Sequence, residues 1–523
     1  MPVTKVVPVE ENGDKSRNST SVATKSPSYA NHVNHDEEQS GCPGIFRNRT
    51  RFLLMVLVLL CLASIWSNIL AFNFALICFL KHPSVETSTT SSVLNGTTNE
   101  EMIREATQFT AKERSILTSA VAASALVANF VVVALVNRFG IRTIFATCGM
   151  ISALATLFLP TAIYSGFYYT LAARSFQGIA FASNFPAIGA FTMKYSYFKQ
   201  SGLFVSVLVA YVQLSPALTM PISGQLCESS MRWPSVFYAH GGTGILLFAL
   251  FALFYRNSPN KHPYVGNVEL NKISIGKSTL SKKEQRNIPY GAILKTVSVW
   301  AIWCAALGNF TTVNMLFLYS PTYMNRVLHF PVHSSGISSA LAPLAQFCLK
   351  LFAGWTSDKV QFLGETNKLR AYNSVAFFGS AICMVVLAFF PTSLPYACLF
   401  LFGASAGTLG FTTGGFFKAG PMVSKQYSHF VVGNISLGIT ITMLVVPFMV
   451  NGLAPNSTPE EWRYVFLCTA GTLIVTNLLF VLMCSAEPAY WTTESFSREA
   501  SANTKTSSVI SNRAAVSRST ANA

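Results

Sequence analysis

Acidic residues are missing from the middle of every long apolar stretch in this 523-residue chain, and charge of either sign is scarce, at 11% of residues. Soluble domains carry about 25% charged residues, so this scarcity excludes a set of water-soluble globular domains and implies a chain that crosses a bilayer many times. No CxxC pair or Cys/His spacing suits a metal, no glycine-rich loop ends in GK[ST], and no nucleophile–base pair emerges. An enzyme is therefore not expected, nor is any cofactor or bound metal. No signal peptide is expected: about 45 polar residues precede the first apolar run, which is expected to act as an uncleaved anchor. Nine of the eleven cysteines (Cys61, Cys78, Cys148, Cys304, Cys348, Cys383, Cys398, Cys468 and Cys484) fall inside apolar runs and read as small buried hydrophobes. Cys227 is the one clear candidate in a non-cytosolic loop.

The apolar runs read as membrane spans at about 52–80, 114–136, 143–163, 165–193, 202–225, 234–255, 298–320, 336–356, 371–390, 396–417, 429–451 and 464–484. A net charge of +16 suggests nucleic acid only until the bases are placed. They cluster in short loops on one side: Arg47, Arg49 and Arg51, then Arg138 and Arg142, Lys194 and Lys199, Lys359, Lys368 and Arg370, with eight more between Arg256 and Lys295. By the positive-inside rule both termini are cytosolic, and nucleic acid is not an expected partner. The expected organisation is a disordered cytosolic segment 1–51, a bundle 52–255, a basic linker 256–297, a second bundle 298–485 and a disordered cytosolic tail 486–523. The external loop 81–112 holds the sequon at Asn95, far enough from the bilayer to be glycosylated; the Asn456 sequon lies close to it, and those at Asn18 and Asn48 face the cytosol.

A few bases do lie within the spans. Arg174 is in the fourth, Lys350 in the eighth and His240 in the sixth. An ionisable group at membrane depth is costly and persists where a cavity, partner or substrate compensates it. Cations without intramembrane carboxylates point to an anion from outside the chain. Arg174, with Gln177 one turn on, either forks onto such an anion or bonds carbonyls exposed near Pro186. Lys350 either acts on an anion or snorkels toward Asp358 or solvent. His240 is either a proton-coupling group or a satisfied helix-interface histidine.

The chain repeats itself. Trp233, Val236, Phe237, Gly242 and Thr243 open span six at the spacing with which Trp462, Val465, Phe466, Gly471 and Thr472 open span twelve. Two such halves joined by a basic linker resemble the major facilitator superfamily, whose substrate site lies between the halves. Gly354, Asp358 and Lys359 match that superfamily's loop motif G-x-x-x-D-[RK]; the equivalent stretch after span two, Val133 to Arg142, lacks its Gly and Asp. The resemblance implies an all-α polytopic membrane protein with twelve transmembrane helices in two pseudo-symmetric six-helix bundles. It also places Asn73, Asn309, Thr312, Thr408 and Thr412 on cavity-lining helices, where each either meets substrate or bonds a neighbouring helix.

Finer text resembles one family, solute carrier family 17, which holds the vesicular glutamate transporters, sialin and the type I sodium–phosphate cotransporters. The matching residues are Arg174, Gln177 and Gly178 with Asn184, Pro186 and Ala187; Ser258, Pro259, His262 and Pro263; Ile288, Pro289 and Tyr290; Val299, Trp300 and Trp303; Tyr319, Pro321, Thr322 and Tyr323; and Glu461, Trp462, Val465 and Phe466. The departures are as informative. Where the family has R-x-N in span one, this chain reads Ala71, Phe72, Asn73; Phe181 stands in place of a proton-linked Glu, and Asn309 in place of an Arg of the glutamate transporters. The resemblance implies a carrier of small organic anions or inorganic phosphate, monomeric, coupled to H+ or Na+ if to any ion, in the plasma membrane or an acidic organelle. The other class left open is a transporter-like sensor or scaffold that no longer transports.

Overall fold

A computed structural model of the chain describes residues 49–79, 109–196, 201–274, 289–360 and 363–493. The expected glycan site Asn95 and the sequons at Asn18 and Asn48 lie outside them. Among the described residues there is no strand. Eleven helices are long and apolar enough to cross a membrane: Thr50–Cys78, Ala111–Val136, Ile141–Ser165, Leu203–Cys227, Pro234–Phe254, Val297–Val327, Val332–Ser357, Glu365–Phe389, Pro395–Ser424, Phe430–Leu453 and Pro459–Met483. They correspond to spans one to three and five to twelve. Span four is not one continuous helix. It forms two pieces, Phe167–Phe181 and Asn184–Tyr195, because Pro186 has no N–H to return to the preceding turn and the chain tightens at Ser183, whose N–H reaches only Ala180 O.

Large apolar side chains such as Phe130 and Tyr168, each 80% exposed, ring the outside, as expected where lipid is the solvent. Inside each half the spans approach closely. A Cβ on Gly178 would collide with the Val121 carbonyl, so spans two and four pack backbone to backbone there. The internal repeat is visible as packing: Trp233 meets Phe237 edge-on at 6.0 Å between ring centres, and Trp462 meets Phe466 at a tilt at 5.5 Å.

Two features depart from the sequence reading, at Cys78 and at the tail, and a third, in the linker, adds to it. Cys78 is not a free hydrophobe; it forms a disulfide with Cys227, tying the ends of spans one and five. Part of the linker is ordered: Glu269, 1% exposed, accepts from the backbone N–H of Arg51 (2.9 Å) and Thr50 (3.3 Å) and so caps the start of span one. The first residues of the expected tail are packed as well. Ala486 N–H donates to Thr366 Oγ1, Ala489 N–H to Val423 O, and the buried Trp491 ring donates to Thr296 Oγ1 at 2.8 Å.

Candidate functional site

Spans one to six make the first half, with span three packed against spans four and six; spans seven to twelve make the second. Bonds that join the halves gather toward the end where span one finishes and span two begins, here termed the far end. There Ser115 Oγ donates to Pro447 O, Ser119 Oγ to Leu444 O, Asn451 Nδ2 to Ser115 Oγ, and Arg114 Nη2 to Pro455 O. Spans five and eight meet through the His333 N–H, which donates to Glu228, and through Gly224 against Gly336. Deeper in the membrane, Gln213 Nε2 donates to Gln346 Oε1 at 3.0 Å.

One turn beyond Gln346 stands Lys350, a cation in the interior with no hydrogen bond or ion pair among the described residues. Its ammonium lies 5.4 Å from the Phe417 ring centre, and that ring packs edge-on against Phe310 of span seven. Asn309, the residue before Phe310, is buried with its Oδ1 unpartnered. The local sequence explains why spans eight and ten come so close. A Cβ on Gly410 would meet Lys350 N at 2.6 Å and Gln346 O at 2.8 Å, so the glycine-rich stretch of span ten, tightened into a 3-10 turn over Leu409–Gly414, lies directly on the lysine's backbone.

Arg174 has a different setting. It is fully buried; Nη1 donates to Gln177 Oε1 at 2.7 Å and to Ile69 O at 3.2 Å, and Nε donates to Leu117 O at 3.2 Å. The guanidinium sits 4.5 Å from the Phe72 ring centre, and only Nη2 is without a partner. Gln177 donates to Asn68 O and Thr156 Oγ1. Arg174 and Gln177 therefore join span four to spans one, two and three.

The remaining candidates are not brought together. Thr312, Thr408 and Thr412 each donate to a carbonyl of their own helical segment, Gly308, Ser405 and Leu409. The His240 ring bonds Val236 O one turn back through Nδ1 at 2.8 Å. Lys359 lies over the Trp355 ring, Gly354 is at ordinary contact distance from Thr413, and nothing is described of the Asp358 side chain. Asn73 does line a cavity, a far-end chamber of about 340 Å3 that also takes in Arg114, Thr118, Tyr319, Arg326 and Asn451. Sequence reading passed over both Arg114 and Arg326: Arg114 follows the acidic Glu113 and so reads as neutralised loop charge, and Arg326 lies just past the expected end of span seven with nothing in the local sequence to single it out.

The wider comparison agrees with this architecture. A family model for the major facilitator superfamily matches residues 87–417. The chain belongs to the major facilitator superfamily. Human sialin is 28% identical over 349 residues, covering 65% of this chain and 69% of sialin. Mouse sodium-dependent phosphate transport protein 3 is 26% identical, covering 69% and 76% of the two chains, and zebrafish vesicular glutamate transporter 3 is 24% identical, covering 68% and 61%. These relatives bear out the resemblance to solute carrier family 17. Among solved structures, a bacterial homologue of the human lysosomal transporter Spinster superposes with a TM-score of 0.61 at 14% identity, covering 83% of this chain and 97% of that one. The xylose transporter XylE from E. coli gives 0.58 at 12% identity, covering 83% and 96%. Such distant likeness establishes the fold: this is a multi-pass membrane protein of the superfamily's transporter architecture.

Proposed function

We propose that this superfamily member is a secondary carrier of small anions, organic anions or inorganic phosphate, working by alternating access. The observation that carries the reading is Lys350, a cation at membrane depth between spans eight and ten with no ion pair among the described residues, beside the Gln213–Gln346 bridge that spans the halves. Such a charge is tolerated where a cavity, water or an exogenous anion compensates it. The cross-half bonds at the far end describe a carrier shut at that end. Arg174, held by three hydrogen bonds, serves as the pin that keeps spans one, two and four together while the halves rock. The Cys78–Cys227 disulfide supports an extracytosolic far end, and so cytosolic termini, since such bonds persist in oxidising compartments. The plasma membrane and an acidic vesicle both meet that condition.

A second reading, a sensor or scaffold that does not transport, is favoured by Phe181, whose ring packs 5.3 Å from Trp66 where relatives of the family place a coupling acid. Uptake into proteoliposomes separates the two. With labelled phosphate and a panel of carboxylates, the wild-type chain is expected to accumulate an anion, Lys350→Gln to lose uptake, and Lys350→Arg to retain part of it. Uptake of an anion at the wild-type rate by Lys350→Gln would remove the lysine from the mechanism. No uptake of any anion by the wild-type chain would favour the sensor.

A further inference from the structure

The far-end chamber has more donors than its own acceptors satisfy. Arg114 Nε is buried without a partner, and Arg326, exposed to solvent, makes no hydrogen bond among the described residues. Asn73 Nδ2 is buried and unpartnered, its Oδ1 accepting from Thr118 Oγ1 at 3.3 Å. The Tyr319 hydroxyl accepts from Asn451 Nδ2 at 3.1 Å and keeps its own proton to give. Among the described residues, the two nearby carboxylates are engaged in helix caps. Glu113 takes the N–H and hydroxyl of Thr110 at 2.8 and 2.9 Å, and Glu461 takes donors from Asn456 and Thr458 in the cap of span twelve. Two guanidiniums thus share one chamber, and like charges in a common cavity repel unless an anion lies between them.

We propose that this chamber is an oxyanion clamp. Arg114 from the first half and Arg326 from the second hold one phosphate-type dianion between them, and its binding keeps the far end shut. Guanidinium is suited to this ligand because its planar fork matches two oxygens at once, and two forks match the charge of a dianion. A volume of about 340 Å3 is small for a ligand pocket but ample for a tetrahedral oxyanion with its remaining waters. The closing action follows from the origin of the two arginines. A ligand that binds both stabilises only the arrangement in which both line one chamber, which is the arrangement with Arg114 bonded to Pro455 and Ser115 to Pro447. Inorganic phosphate is a ligand common to the clamp and to the carrier reading, but the clamp's residues are not those around Lys350, and the variants below tell the two sites apart.

The test uses the full chain in lipid nanodiscs with inorganic phosphate as probe. Calorimetry is expected to show saturable binding, weakened about tenfold or more by either Arg114→Gln or Arg326→Gln. The double variant should lose no more than slightly beyond the worse single variant, because both arginines act on one ion. Gate closure is read from thiol labelling of Ser457→Cys at the chamber wall, followed by peptide mass spectrometry. Phosphate should slow labelling severalfold, and this protection should vanish in Arg326→Gln, whose exposed side chain carries no packing. Unchanged affinity in both single variants, absence of phosphate binding, or equal protection by chloride would each overturn the clamp. Retained phosphate protection in Lys350→Gln, together with lost uptake, would show that the clamp stands while the carrier reading is tested separately.

Discussion

Replacing Arg174 with alanine is expected to destabilise the first half before it affects any ligand. The guanidinium donates to Gln177 Oε1, Ile69 O and Leu117 O and lies against the Phe72 ring. Losing a donor to a buried acceptor costs about 1–3 kcal/mol, toward the low end for helix carbonyls that keep their own N–H bond. A buried cation–π contact adds about 1–2 kcal/mol. Removing a buried charge returns some desolvation energy, so the net loss is about 3–5 kcal/mol. For domains of 150–250 residues, 1 kcal/mol shifts Tm by about 2–4 °C, and this longer chain lies toward the low end, giving a drop of about 5–10 °C. Fluorescence-detected size exclusion after graded heating, with surface biotinylation in parallel, measures both stability and delivery. Arg174→Lys should fall between wild type and alanine, since it keeps the charge but not the fork. Wild-type Tm and surface level in Arg174→Ala, together with abolished uptake, would refute the pin and restore Arg174 as an anion ligand.

Cys78→Ser or Cys227→Ser should lower stability by about 2–5 kcal/mol, and alkylation of the oxidised wild-type chain under non-reducing conditions should leave both thiols unlabelled; labelling of either contradicts the bond. His262, outside the spans, accepts from Tyr264 N–H through Nδ1, and burial pushes its pKa below the ordinary 6.5, with Arg256 also lowering it and Glu269 opposing. A depressed base contributes stability that is full above pH about 6.5 and falls as the pH drops below it, so His262→Asn should flatten the stability profile below pH about 6.5, and an unchanged slope would remove this group from the account. With Phe181 packed on Trp66 and no acid in mid-span, uptake should follow the anion gradient and membrane potential with at most a weak pH effect through His240; a steep proton dependence that survives His240→Gln would show another coupling group.

Much of the architecture was legible because a bilayer imposes one rule, a long apolar helix, that sequence expresses directly. The break in span four was legible in part, since Pro186 was visible, but not that Ser183 would mark the join. The caps at Thr110–Glu113 and Thr458–Glu461 follow the S/T-x-x-E pattern and could have been read. Reading them would have shown that Glu113 is engaged in its own cap rather than with its neighbour Arg114. The Cys78–Cys227 bond and the Arg114–Arg326 chamber join residues 149 and 212 positions apart, and no local pattern records which distant turn a side chain will face. The same holds for Arg174. Sequence showed a cation at depth with Gln177 one turn on, but its other partners are carbonyls of spans one and two, and every residue has a carbonyl.

The short segment after span twelve has a mechanical consequence. By bonding to Thr296 before span seven, Thr366 at the start of span nine and Val423 near the end of span ten, residues 486–493 act as a cross-tie under the second half. A half tied in this way cannot splay its own helices apart to admit solute, so any opening at that end must come from the seam with its counterpart. A fluorescent protein fused directly after Met483 would cut the tie, whereas one fused beyond Thr493 would leave the mechanics intact.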